Sequence, residues 1–205
     1  VIREISWESA NIFKSYIDIE RTNSELKKKL KINNLKTGPV TSADLEVNKI
    51  IIDGIKKNYP NQNWFFLSEE SNKEAINSQL HDYVWIIDPL DGTKDFINGT
   101  GEYATHISLT YKKKNILGAV LIASKNELWL YLDGKGSWCE NSNFKKKTYT
   151  NLNKNNININ DLRIVVSRSH RYPELNRIID KLNPTHVIGM GSIGYKITAL
   201  IRDEA

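Results

Sequence analysis

Residues 85–93 read Trp-Ile-Ile-Asp88-Pro-Leu-Asp91-Gly-Thr93, and a Ser-Glu69-Glu70-Ser segment closes the apolar run before them. Both runs are short and β-rich, and each stops on an acid. If they are neighbouring strands, Glu69 and Asp88 share one sheet edge. Asp91, three residues past Asp88 across a Pro-Leu turn, can point back at the same spot. Carboxylates that close repel unless a cation holds them. An all-oxygen donor set with neither Cys nor His favours a hard ion such as Mg²⁺. Gly92 permits close approach of the backbone to a ligand, and the Gly92 and Thr93 amides form a candidate phosphate seat. Alone, Asp-Pro-x-Asp-Gly reads equally well as a polar turn in which Asp caps backbone amides. Glu69, and the Thr41-Ser-Ala-Asp44 segment, weigh against that reading.

The surrounding pattern is that of a soluble mixed α/β chain. Ile2, Ile5, Ile12, Phe13, Tyr16 and Ile17 share one helical face. A second helix follows Gly38-Pro39, with Thr41 or Ser42 as N-cap and Leu45, Ile51, Ile52 and Ile55 as its apolar positions. Strands are expected over Trp64–Leu67, Val84–Ile87, His106–Tyr111, Ile116–Ile122 and Glu127–Leu132. Turns at Lys114-Asn115, Lys125-Asn126 and Asp133-Gly134 make the last three an antiparallel meander. The Asn-rich stretch 151–160 reads as a linker. Strand (Leu162–Val166), helix (Pro173–Leu182), strand (His186–Ile188) and a helix from Ser192 then follow, as in a βα layer. The expected division is an α+β metal-binding catalytic domain over 1–150 and the start of an α/β substrate-binding domain over 151–205.

The chain has 205 residues and a net charge of +5. Its lysines fall in separate clusters, not interleaved with aromatics as on a base-stacking surface, so no nucleic-acid partner is expected. Such a surface can instead steer a small anionic substrate. Steeply salt-dependent nucleic-acid binding would restore that third class. The one cysteine, Cys139, rules out an internal disulfide and reads as a core thiol in a reducing, cytoplasmic setting. No apolar run approaches the roughly 18 residues of a membrane span, and no signal peptide opens the chain. Val1 need not be the native N-terminus.

Three segments then resemble, in order and spacing, the N-terminal signatures of the inositol monophosphatase superfamily of lithium-sensitive, Mg²⁺-dependent phosphatases. They are Gly38-Pro-Val-Thr-Ser-Ala-Asp44, Leu67-Ser-Glu-Glu70 and Trp85-Ile-Ile-Asp-Pro-Leu-Asp-Gly-Thr-Lys-Asp-Phe96. Lys94-Asp95-Phe96, Val165-Val-Ser-Arg-Ser-His170 and Gly191-Ser192-Ile-Gly-Tyr-Lys196 further resemble its CysQ-type 3′(2′),5′-bisphosphate nucleotidase branch. The resemblance implies a layered α-β-α-β-α sugar-phosphatase-like fold with its C-terminal part incomplete. It implies two or three Mg²⁺ ions in the complete enzyme, held by Glu69, Asp88, the Leu90 carbonyl and Asp91. It makes Asp44 and Thr93, with Glu69, the group that orients and deprotonates the attacking water. It puts the scissile phosphate on Gly92 and Thr93, and the nucleotide on His170, Ser192 and Lys196. The implied reaction converts adenosine 3′,5′-bisphosphate to AMP and phosphate, which would clear a by-product of sulfate assimilation. Inositol monophosphate and fructose 1,6-bisphosphate are the alternative substrates, and a homodimer is compatible with the family.

One departure matters. Family members carry a further metal-binding aspartate in a Trp-Asp-x-x-Ala-Gly motif, and this chain stops at Arg202-Asp-Glu-Ala205, on the helix and turn before it. Asp203 does not take that role. A fragment is the expected explanation, an inactive truncated binder of metal and nucleotide the alternative. Gly189-Met-Gly191-Ser-Ile-Gly194 fits a dinucleotide fingerprint, but the acidic partner expected about 20 residues on lies past Ala205; a tight turn presenting Ser192 and Lys196 is the preferred reading. His170 is either a phosphate ligand or an ordinary loop histidine, and His106 reads as a hydrogen-bonded structural residue. Lys36 reads as a surface lysine, with the site as its other possible destination.

Overall fold

The computed structural model of the chain describes residues 1–22, 32–35, 38–70, 80–147, 161–169 and 172–204. Helices α1 (Ile2–Thr22) and α2 (Ser42–Asn58) pack against each other and against a seven-stranded sheet. Thr41 is the N-cap of α2 and accepts from the Ala43 amide at 3.2 Å; Asp44 closes the box by accepting from the Thr41 amide at 2.8 Å. The helix buries Ala43, Val47, Ile51 and Ile55, one per turn, on the sheet. Leu45, expected on that face, is exposed instead, because it falls on the opposite side of the 3.6-residue period.

A short hairpin, β1 (Ile32–Leu35) with β2 (Gly38–Thr41), precedes α2. The sheet then runs in chain order: β3 (Phe65–Ser68), β4 (Tyr83–Asp91), β5 (Ala104–Tyr111), β6 (Lys114–Ile122), β7 (Glu127–Leu132), β8 (Gly136–Glu140) and β9 (Lys146–Lys147). β3 and β4 are parallel and all later pairs antiparallel, so the expected meander is present and extends two strands further. Its first turn sits on Lys112-Lys113 rather than Lys114-Asn115. Both lysines are left-handed (φ 47° and 67°), as a tight hairpin turn demands.

Side chains alternate between the two faces of the sheet. Ile107, Leu109, Ala119, Leu121, Leu128 and Leu130 meet α1 and α2, while Ala104, Val120, Ile122 and Trp129 face the other way. Onto that second face docks α5 (Ile193–Ile201), through Tyr195 and Ala199. With it come the parallel pair β10 (Arg163–Ser167) and β11 (His186–Met190), joined through α4 (Pro173–Leu182). The result is an α/β architecture of helix, sheet and helix layers that continues into a βα unit. The Asn-rich stretch and Lys36 lie outside the described residues. No helix among the described residues is long and apolar enough to cross a membrane.

Candidate active site

The parallel register sets Ser68 beside Ile87, and the Glu69 amide continues the ladder by donating to the Ile87 carbonyl at 3.1 Å. Glu69 and Asp88 therefore leave β3 and β4 side by side. In a regular strand Asp88 and Asp91 would point to opposite faces. However, Asp88 pairs with His106 and Asp91 with Ala104, so three steps along β4 match two along β5. That one-residue bulge turns Asp91 back to the side of Asp88. Pro89, which has no amide to contribute to a ladder, sits inside it. The Thr105 hydroxyl holds the bulge by donating to the Pro89 carbonyl at 2.8 Å.

Ligand atoms of Asp88, Asp91 and His106 lie within 4.8 Å of one another. Glu69 stands outside that triangle, on the far side of Asp88. His106 comes within reach of the acids because β5 pairs with β4 directly opposite Asp88. Burial, then the charges of Glu69 and Asp91, push the Asp88 carboxyl up to about 8. Glu70 is pushed up to about 7 by burial and then by Asp44 and Glu69. Burial also raises Asp91, but hydrogen bonds from His106 and Ser192 outweigh it and hold this carboxyl below the usual carboxylate range. Excess negative charge that only one acid escapes by hydrogen bonding is the environment that a divalent cation relieves. Oxygen donors in such number fit Mg²⁺.

Gly92 follows in the left-handed region (φ 91°), where a Cβ would come 2.9 Å from the Glu102 carbonyl. It opens α3 (Thr93–Ile97), whose N-terminus no side chain caps among the described residues. The Thr93 hydroxyl lies 3.1 Å from Asp44 Oδ1 and 3.0 Å from the Leu90 carbonyl. Asp44 is 2 % exposed. Burial raises its pKa, and hydrogen bonds from Thr41 and Thr93 partly offset the rise.

Glu69, Asp88, Leu90, Asp91, Gly92 and Thr93 line one side of a cavity of about 290 Å³; Ser167, Ser169, Gly191, Ile193 and Lys196 come from the β10–α5 side. Asp44 stands behind Thr93. Ser192 stands behind Asp91: its hydroxyl donates to Asp91 Oδ2 at 2.6 Å and accepts from the Tyr195 amide at 3.2 Å, capping α5. Lys196 donates to the Gly191 carbonyl, and burial lowers its pKa despite Asp91, Asp95 and Glu102 nearby. His170 lies outside the described residues.

The two sides are fastened by a pairing that spacing alone does not reveal. The Arg168 guanidinium donates to the buried Asp95 and, at 2.6 Å, to Glu102; Glu102 also accepts from the Gly191 amide at 2.8 Å. A Cβ on Gly191 would collide with Asp95 and the Glu102 carbonyl, so only glycine fits that turn. The His106 contact to Asp91 was equally out of reach of spacing, although the β5 alternation sets His106 opposite Ile107 and Leu109.

A layered α/β fold whose parallel-strand ends hold an acid cluster beside an open helix start is an arrangement suited to binding phosphate with a metal. The family model for the inositol monophosphatase family matches residues 1–205, and the chain belongs to that family. A 3′(2′),5′-bisphosphate nucleotidase CysQ from Escherichia coli K12 is 32% identical over 164 residues, covering 78% of this chain and 62% of that protein. Inositol monophosphatase 1 of Pongo abelii is 32% identical over 168 residues, covering 78% and 58%. The chain thus spans less than two thirds of the length of either relative. Among solved structures, inositol monophosphatase-II from Staphylococcus aureus superposes with a TM-score of 0.72 at 19% identity, over 99% of this chain and 69% of that one. That likeness is one of fold.

Proposed function

We propose that the chain carries the catalytic centre of a Mg²⁺-dependent phosphomonoesterase, and that its substrate is a 3′(2′),5′-bisphosphate nucleotide, adenosine 3′,5′-bisphosphate yielding AMP and phosphate. The observation that carries this reading is the Thr93 hydroxyl, 3.1 Å from the buried Asp44 carboxylate and in the same cavity wall as Asp88 and Asp91. In this reading residues 1–150 form the catalytic domain and 151–205 begin the substrate-binding domain. Glu69, Asp88, Asp91 and the Leu90 carbonyl would hold Mg²⁺. Bound there, the ion supplies neutralisation of phosphate charge and a more acidic water.

The chain's own groups supply the rest. A hydroxyl that donates to Asp44 keeps lone pairs with which Thr93 accepts a hydrogen bond from water. Asp44, its proton affinity raised by burial, takes up the proton that the water gives to Thr93. Amides at Gly92 and Thr93 seat the phosphoryl oxygens. Lys196 sits across the cavity, where a second phosphate of a nucleotide would meet a cation, and this favours a bisphosphate over a monophosphate. Similar identity to the nucleotidase and to inositol monophosphatase 1 supports the second reading, hydrolysis of inositol monophosphate.

The test is phosphate release with Mg²⁺ from adenosine 3′,5′-bisphosphate, inositol 1-phosphate and fructose 1,6-bisphosphate in parallel, with Asp91→Asn as control. Preferential release from the nucleotide is expected, and Asp91→Asn should abolish it. Release chiefly from inositol 1-phosphate would transfer the assignment to the second reading. Failure to release phosphate from any of the three would refute hydrolysis by this chain.

A further inference from the structure

One oxygen of Asp91 is fully used by the protein. Its Oδ2 lies 3.1 Å from His106 Nε2, 2.6 Å from Ser192 Oγ, 2.6 Å from the Ile193 amide and 3.4 Å from the Gly194 amide. A carboxylate has about two lone pairs on each oxygen, so this set leaves Oδ1 as the oxygen open to a ligand. The N-cap and first turn of α5 supply three of the four contacts; His106 supplies the remaining one from β5.

Oδ2 already accepts from the Ser192 hydroxyl and the Ile193 amide, so His106 Nε2 meets this oxygen as a further donor. An Nε2 that donates to Asp91 has no lone pair left for a cation, although a ring nitrogen of His106 lies within 4.8 Å of Asp88 and Asp91 oxygens. Gly194 lies directly over the ring: a Cβ there would come 2.7 Å from His106 Cε1 and 2.9 Å from Cγ1 of Val120, its cross-strand neighbour, so α5 packs onto the imidazole with no side chain between them.

We propose that His106 is a positioning residue of the metal centre, not a ligand: it fixes Asp91 Oδ2 by donation so that Oδ1 is presented to the cation. The inference rests on the metal-centre reading above. Partners of this kind, which orient a ligand without touching the metal, typically change affinity by about 10- to 100-fold when lost.

The test is titration of the 205-residue chain with Mn²⁺, reading free ion by electron paramagnetic resonance, and with Mg²⁺ in competition. His106→Phe fills the space without a donor, and His106→Gln returns an amide N–H near the position of Nε2. Melting in EDTA is followed alongside. The expected result is Mn²⁺ affinity about tenfold weaker in His106→Phe and within about threefold of wild type in His106→Gln, with Mg²⁺ affected in the same proportion. Wild-type affinity in His106→Phe would overturn the proposal. So would equal loss in both variants, or a loss confined to Mn²⁺, which would mark His106 as a ligand or a packing group. Wild-type protein that binds no Mn²⁺ would refute the metal-centre reading, and this inference with it.

Discussion

With no cation bound the acid cluster is a source of instability, and Asp88→Asn should relieve it. Asp88 is partly buried between Glu69 and Asp91, and burial followed by their repulsion carries its carboxyl from 3.8 to about 8. In the unfolded chain the same group ionises near its ordinary value. Below about pH 4 both states keep the proton and stability is complete. Between about pH 4 and 8 the unfolded state sheds a proton that the folded state retains, so stability falls as pH rises. Each tenfold in proton affinity is about 1.4 kcal/mol, which sets a ceiling of about 6 kcal/mol. Glu69 and Asp91 share the repulsion and solvent reaches the site, so we expect about 2 kcal/mol. Asparagine removes the charge, keeps the shape and retains an oxygen for the Leu90 amide, which now donates to Asp88 Oδ1 at 3.1 Å. In EDTA at pH 8 the variant should melt about 4–8 °C above wild type. At pH 5, where little more than one of the four decades has been crossed, the gap should shrink to about a third. Mg²⁺ reverses the order. At a hundredfold excess over Kd it stabilises the wild type by about 2.7 kcal/mol, and it should hardly move a variant that has lost a ligand. Thermal melts by circular dichroism at pH 5 and 8, with EDTA or Mg²⁺, decide the matter. A lower melting point for Asp88→Asn in EDTA at pH 8, or an undiminished response to Mg²⁺, would refute the reasoning.

Thr93→Val keeps the shape of the side chain but removes the hydroxyl from Asp44 and the Leu90 carbonyl. It should destabilise by about 1–2 kcal/mol and lower kcat by about 10²- to 10⁴-fold, while Mn²⁺ affinity stays unchanged; near-normal turnover would remove Thr93 from the mechanism. Arg168→Met strips the guanidinium from Asp95, which is 5 % exposed, and from Glu102. Because the Arg168 side chain is itself 40 % exposed, the loss should be about 1–2 kcal/mol rather than the larger value of a fully buried pair. Read by denaturant melts, a midpoint equal to wild type would show that this pairing does not fasten the β10–α5 side to the sheet.

What could be read from the chain was local and periodic. Pro173 starts α4 and Leu182 ends it where the apolar spacing stops. Thr41 and Asp44 declare the start of α2 by their three-residue interval. Strands β5 to β7 follow from apolar runs between turn residues. β8 was missed because Gly136–Glu140 mixes glycine, serine and an acid. It is held by its register with β7, Trp129 opposite Cys139 and Leu130 opposite Trp138, rather than by its own pattern. β9 is two lysines that are strand only because Cys139 and Glu140 pair with them. The same distinction runs through the site. Asp44, Glu69, Asp88, Asp91 and Thr93 could be singled out because each lies in a short run whose chemistry is unusual. The bulge that turns Asp91 toward Asp88 depends on counting residues against β5, and no window along β4 contains that count. Arg168 and Asp95 are 73 positions apart, and Ser192 and Asp91 are 101 apart. Only the stacking of α5 on the sheet decides which oxygen each donor takes. Asp91 Oδ2 takes its partners from α5 and β5, so its place in the cavity wall is set by contacts between segments whose separate chemistry is unremarkable.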